Sequence, residues 1–498
     1  MAGQAVQLET SRDSRPASIR PSKDERLDLV PTSSAQEGPD DPFNWPVRKK
    51  WVVTLVGVFA TFTTQLDGTI LTVAHEAINE AFNVSDAKFP NSYWPVASWT
   101  GGGALFSLIV LPILEDFGVR PGFLGTYLLF IVFIIPQGVA QNFATLVATR
   151  FVAGGCVSIL ANTSASVIGN IWEDERARTI PLSLYITAYL AGISTGPVIG
   201  GVVFRNLGWR WISYLQLIWY GACFPIYYFL LAESRGSMIT HQLSHTKTGT
   251  TLIHKLSQSV KRPLYMLFTE PVLFVFTIWS AFAVGTVYLF TQSTEQVFGG
   301  LYNFTPSQAG YIQAAIVIGT CLGWNGAVIS KQLYLSSAKH NKREPGARIP
   351  EARLYMSTVG SLVGMTGGMF VYGWTSYPQL PWIAPAIGLA MVGFGIVIVV
   401  LAIADYVVDA YAKYAGSAVA ALVLVEDLVA AFLPLAAQSM YTNLGFQWAS
   451  TVLGFASLLL SAAPFVLIKY GYSIRARSPF MKSSVIGNGA GATGSHGV

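Results

Sequence analysis

Residues 383–404 read IAPAIGLAMVGFGIVIVVLAIA, and this stretch decides the class of the protein. It contains no charged side chain. As a helix rising ~1.5 Å per residue, it is long enough to cross the ~30 Å hydrocarbon core of a bilayer. Its apolar residues run continuously instead of alternating. In lipid, where every backbone polar group must be satisfied internally, such a run is a helix.

Working outward, eleven more runs of this kind frame it. In the first half they cover 51–73, 93–113, 122–140, 145–169, 180–204 and 212–232. In the second half they cover 271–294, 309–329, 354–373, 415–438 and 446–468. The predicted fold class is therefore an all-α membrane protein with twelve transmembrane helices in two six-helix halves. Composition agrees: charged residues make up 11% of the chain, where a soluble domain carries about 25%. Mean hydropathy is +0.47.

The flanking segments are different. Residues 1–47 are rich in Ser, Pro and charge and read as a disordered tail. Residues 470–498 read as a second polar tail. Residues 233–270 form the longest internal connection and separate the halves 48–232 and 271–469. A 6+6 layout of this kind suggests two structural repeats around a central site. Cys156, Cys223 and Cys321 lie far apart inside apolar runs, so neither a disulfide framework nor a zinc spacing is expected.

The basic residues are distributed unevenly. With the N-terminus placed in the cytoplasm, 27 of the 31 Lys and Arg fall on the cytoplasmic side. Three (Lys88, Arg205 and Arg210) fall outside, and Arg150 alone stands within a helix. This asymmetry is the positive-inside pattern, with both termini cytoplasmic. It accounts for the net charge of +5 without nucleic acid. The sequons at Asn83 and Asn303 fall in outside loops, in agreement.

Several intramembrane residues are out of place in lipid and are therefore functional candidates. Asp67 lies in the first run, near Thr63 and Thr64. An acid in hydrocarbon is a candidate for taking up and releasing a proton. Arg150 lies near the start of the fourth run, where snorkelling to the interface is the plainer reading. Glu426 and Asp427 are adjacent in the eleventh run, so they face different sides of a helix. Tyr288, Thr291, Gln292 and Glu295 recur at i, i+3, i+4 and i+7 on the seventh, with Gln313 on the eighth. That face either lines a substrate path or is a helix end emerging into water.

The turn after the second run reads Pro112-Ile-Leu-Glu115-Asp-Phe-Gly118-Val-Arg120-Pro121. Glu115 and Arg120 are suited to pair or cap there and so to latch one conformation. The fifth run carries Gly192-Ile-Ser-Thr-Gly196-Pro197-Val-Ile-Gly200-Gly201. Its glycine spacing permits close helix packing, and its proline removes one backbone hydrogen bond.

These motifs resemble those of the major facilitator superfamily. The turn is similar to the loop signature of its fungal drug:proton antiporters, with Leu111 for the usual first Gly and Val119 for the first Arg. Leu146-x-x-x-Arg150-x-x-x-Gly154 is similar to the fourth-helix motif, whose Arg is linked to proton transfer. Asn170-Ile-Trp172-x-x-Glu175-Arg176 follows the same family pattern. The Gly192–Gly201 stretch resembles the antiporter motif that marks exporters. Leu66-Asp67-Gly-Thr69 looks like the first-helix motif of the fourteen-helix branch. Tyr406-x-x-Asp409-Ala-Tyr411 and Tyr470-Gly471-x-x-Ile-Arg475 resemble the C-terminal half of the twelve-helix branch.

The resemblance implies a monomeric, proton-coupled exporter of a small organic molecule at the plasma membrane, working without a cofactor or metal. Asp67, Arg150, Glu426 and Asp427 are the expected proton-coupling residues. Glu115, Gly118, Arg120, Gly192, Gly196, Pro197, Gly200 and Gly201 are the expected conformational ones. An importer of a nutrient, or a sensor that does not transport, are the alternatives. An enzyme is not expected. Gly192-x-Ser194-x-Gly196 lacks the strand-to-helix elbow of a hydrolase. Gly489-x-Gly491-x-x-Gly494 lacks the strand of a dinucleotide site, and His75-Glu76 lacks the second His of a zinc helix.

Overall fold

The computed structural model describes residues 41–86, 91–115, 118–173, 175–234, 252–340 and 349–482. Most of both predicted tails, and 235–251 of the central connection, lie outside these residues. The described chain folds into twelve long helices without a strand. These are α1 Val47–Thr69, α2 Trp94–Glu115, α3 Val119–Gly138, α4 Phe143–Ile171, α5 Glu175–Leu207, α6 Trp209–Leu230, α7 Pro271–Tyr302 and α8 Ala314–His340. Then follow α9 (355–374), α10 Ile383–Tyr411, α11 Ala415–Leu444 and α12 Phe446–Arg477, the last broken at Ser461.

Nine described stretches are apolar and long enough to cross a membrane. One of them, Ile383–Leu444, contains both α10 and α11. The two remaining helices, α1 and α6, are less apolar because α1 carries several Thr with Gln65 and Asp67, and α6 carries Tyr, Gln and Arg. The outer surface is apolar: Phe229 and Leu459 are each 77% exposed, as side chains facing lipid would be.

The helices run beyond the predicted spans where polar residues carry them out of hydrocarbon. α7 continues past 294 to Tyr302, and α12 continues to Arg477 into the predicted tail. The central connection, read as a loop, contains the helix Leu252–Thr269, which packs against α2 and α11. Hydropathy locates the lipid-embedded part of a helix, and a helix does not end where lipid does. α1 starts and ends four residues before its run, because the chain breaks into a 3-10 turn at Thr72–Ala74 before the short helix His75–Phe82. Another short helix, Pro306–Ile312, precedes α8 and starts on a capping box between Thr305 and Gln308.

The halves repeat the same packing. In the first, α1 packs on α5, α2 on α4, and α3 on α4 and α6. In the second, α7 packs on α11, α8 on α10, and α9 on α10 and α12. Each pair becomes the other when six is added to the helix number. The contacts between halves obey the same rule: α2 meets α11, and α5 meets α8. Helices α1, α2, α5, α7, α8 and α11 therefore surround the midline. The bundle has a basic end, where α1 and the helix Leu252–Thr269 begin, and a far end, where the short helices His75–Phe82 and Pro306–Ile312 sit.

Candidate functional site

The first half carries a fully buried cation. Arg150 of α4 donates from Nε to Pro95 O at 2.7 Å, and from Nη2 to Asp67 O at 3.1 Å and Gly68 O at 2.7 Å. Its guanidinium lies 4.7 Å from the ring centre of Trp99. One side chain thus ties α1, the start of α2 and α4 together. It is 0% exposed, so it does not snorkel out of the bundle.

Arg150 bonds the backbone of Asp67, not its carboxyl. Both carboxyl oxygens of Asp67 are buried without a hydrogen-bond partner among the described residues, as is Nη1 of Arg150. Thr63 and Thr64 donate to backbone carbonyls of α1 and leave Asp67 alone. A buried acid without hydrogen-bond donors is a costly arrangement in a low-dielectric interior, and the neighbouring cation offsets part of that cost.

The second half carries the two adjacent acids, and they part company. Glu426 accepts a hydrogen bond from Ser280 of α7, within its own half. Asp427 reaches across to the first half and accepts from Ser158 of α4 at 3.3 Å. It also lies against Gly103 of α2, where a Cβ would stand 2.9 Å from its Oδ2. Tyr185 and Tyr189 of α5 interact electrostatically with both acids. Tyr288 of α7 is buried beside Gly68 of α1 in the other half. Its hydroxyl would be 3.5 Å from a Cβ on Gly68.

The rest of that α7 face is buried. Tyr288, Thr291 and Gln292 are 2%, 4% and 1% exposed, so the helix does not emerge into water there. Neither end of the Gln292 amide has a partner among the described residues. Glu295 faces His75 of the other half at 3.1 Å. Gln313 donates to Phe290 O and to Thr294 Oγ1, which pins the start of α8 onto α7.

The glycines of α5 divide between two neighbours. A Cβ on Gly192, Gly196 or Gly200 would strike Phe62 O, Leu66 O or Ile70 O of α1 and its extension, at 2.6, 2.5 and 2.2 Å. Gly201 instead faces Ser307 of the other half, and Pro197 O faces Gly310. The stripe therefore seats α1 on one side and the opposite half on the other.

At the basic end, Gly118 takes φ +99° at the start of α3, a conformation that favours glycine. The N–H groups of Val119 and Arg120 donate to the Glu233 carboxylate, just past α6. The Arg120 Nη2 donates to Tyr228 O. The expected partner Glu115 has a side chain outside the described residues. Sequence reading missed Glu233; its signal is an acid directly after an apolar run.

It also missed a charge cluster in the second half. Arg353 lies between Asp405, at 2.9 Å, and Asp409, and over the Tyr334 ring at 4.0 Å. Glu351 pairs with Arg475, and Glu270 accepts from Ser478 at 2.7 Å. The signal was the i, i+4 spacing of Asp405 and Asp409 on one helix face.

The sequence model of the Major Facilitator Superfamily matches residues 57–434. The MFS transporter cpaT of Aspergillus oryzae is 31% identical over 467 residues, covering 90% of this chain and 92% of its own. The major facilitator superfamily multidrug transporter FLU1 of Candida albicans is 30% identical, covering 90% and 75%. The citrinin biosynthesis cluster MFS transporter mrr1 of Monascus ruber is 30% identical, covering 89% and 91%. The fold is similar to the crystal structure of the human organic anion transporter MFSD10 (TETRAN), with a TM-score of 0.60 at 16% identity, covering 84% of this chain and 100% of that one. The protein is a multi-pass membrane transporter, and it belongs to the major facilitator superfamily.

Proposed function

We propose that this transporter exports a small organic molecule in exchange for protons, by alternating access of its two halves. The observation that carries the reading is a set of buried acids between the halves: Asp67 beside Arg150, its carboxyl without a hydrogen-bond partner among the described residues, and Asp427, which reaches across to Ser158 of the other half. A proton taken up by Asp67 removes its attraction for the buried Arg150 and leaves that cation alone, so uptake and release favour different arrangements. Asp427 contacts the other half directly, so its protonation state acts on the contact that must change. Glu426, held by Ser280 inside its own half, is the third proton-coupling candidate.

The basic end faces the cytoplasm in this reading, following the excess of Lys and Arg there, and the membrane is the plasma membrane. The mrr1 and FLU1 relatives are named for a secondary-metabolite gene cluster and for multidrug transport, which supports a small organic substrate. Buried acids near the midline favour a cationic or neutral amphipath.

The test has two parts. Metabolites are compared inside and outside cells with and without the gene. A compound that accumulates inside and disappears from the medium on deletion supports export, and the reverse pattern means import. The substrate so found is then assayed in proteoliposomes with Asp67→Asn and Asp427→Asn. Both variants are expected to lose transport driven by a pH gradient while retaining substrate exchange. Gradient-driven transport retained in both would remove the coupling assignment.

A further inference from the structure

The halves also meet at the far end, through side chains that the proton-coupling reading leaves unused. His75 opens the short helix after α1, and Glu295 lies near the end of α7. His75 Nδ1 stands 3.1 Å from Glu295 Oε2 and 2.8 Å from Thr72 O. Both neighbours are acceptors, so Nδ1 carries a proton in either charge state, and a second proton at Nε2 makes the ring a cation facing a carboxylate. Beside it, Gln296 Nε2 donates to the Tyr93 hydroxyl at 3.4 Å, again between halves. The Tyr93 ring covers the imidazole, with centroids 5.4 Å apart. Below this pair, Gly310 abuts Pro197 O and Val73 so closely that a Cβ would lie 2.6 and 2.7 Å from them. At the basic end a small crevice lies between α5, α8 and α10, near the hydrogen bond from Trp324 to Ser183.

We propose that His75 and Glu295 are a proton-held clasp, which keeps the far end shut while His75 is charged and lets the halves part when the ring is neutral. The ionisable groups around the ring are acids: Glu295 from α7 and Glu76 on its own helix, with Asp86 acting on the neighbouring Tyr93. Burial works against a charged ring, but the hydrogen bond and charge of Glu295 outweigh it and raise the His75 pKa to about 9. His75 lies past the end of α1, where a parted far end exposes it to water and returns it to about 6.5. The sign follows. Protonation favours the closed form fully below about 6.5, and the preference is lost as pH rises through about 9. In that window the ratio of open to closed rises about tenfold per pH unit.

The clasp rests on the alternating movement of the halves, and its test separates the two. Spin labels are attached at Ala81→Cys and Gly300→Cys, exposed positions at the far end on opposite halves, with Cys156, Cys223 and Cys321 replaced by Ala. Label distances are read by pulsed electron resonance in lipid nanodiscs between pH 6 and 9. The parent is expected to show a short distance at pH 6 and a growing long-distance population towards pH 9. His75→Asn and Glu295→Gln should show the long distance throughout, without the pH response. A parent distance constant from pH 6 to 9, or a pH response unchanged in both variants, would overturn the clasp. Glu295→Lys tells the two failures apart. If it separates the labels although pH does not, the halves move but His75 does not hold them. If it leaves them fixed as well, the movement itself is wrong.

Discussion

The two halves share one packing plan but treat their buried cations in opposite ways. In the first half, Arg150 is anchored on three backbone carbonyls, while the carboxyl of Asp67 has no hydrogen-bond partner among the described residues. In the second, Arg353 is clamped between two carboxylates at the end of α10. The first arrangement leaves a proton-accepting group unsatisfied at the midline. The second neutralises its charges at the basic end and binds α9 to α10. Equal helix packing therefore supports unequal chemistry: one half holds its buried cation on backbone carbonyls, and the other braces its own between carboxylates.

The largest expected effect is that of Arg150→Met. It should reduce transport in proteoliposomes to the level of empty vesicles, and it removes the guanidinium's hydrogen bonds to three backbone carbonyls, of which Pro95 O keeps Ser98 Oγ as a donor, at a cost of about 1–3 kcal/mol visible as a lower melting temperature. Arg150→Lys should not restore transport, because an ammonium on a single point cannot span Pro95, Asp67 and Gly68. Normal transport by either variant would break the contrast between the halves.

Arg353→Ala should destabilise the protein by about 1–3 kcal/mol, since it removes the partner shared by two half-buried carboxylates. Adding Asp405→Asn and Asp409→Asn should recover much of that loss, as thermal unfolding in detergent would show. An additive triple variant would mean that the clamp is not a coupled unit.

Gly196→Ala tests the seat of α1. Its Cβ would stand 2.2 Å from Thr69 Oγ1, and overpacking of this kind costs about 1–3 kcal/mol. Gly125→Ala, which meets nothing within 4 Å, is the matched control and should stay within about 0.5 kcal/mol. Apart from that control, the smallest change expected is that of Glu233→Gln. It weakens the cap on α3 by about 1 kcal/mol, and added salt should shrink the difference from the parent.

Hydropathy in the sequence placed all twelve helices, because the bilayer demands the same long apolar run of every spanning segment. The starts of α7, α10, α11 and α12 coincide with the predicted 271, 383, 415 and 446. Ends were less legible, because beyond the hydrocarbon a helix continues on polar residues that carry no hydropathy signal. Asp67, Arg150, Glu426 and Asp427 were legible as candidates for the opposite reason: a charge in lipid stands out.

What each of these residues touches was decided only by tertiary structure. Adjacency in sequence sends Glu426 and Asp427 to different faces, but which one crosses to Ser158 depends on how α11 is rotated against α2 and α4. Glu295 read as part of a substrate path, and it meets His75, 220 positions earlier in the chain. Apolar burial is set locally, by each segment's need to avoid water. Ion pairs and clasps form between segments far apart in sequence, and the register that brings them together belongs to the packed bundle.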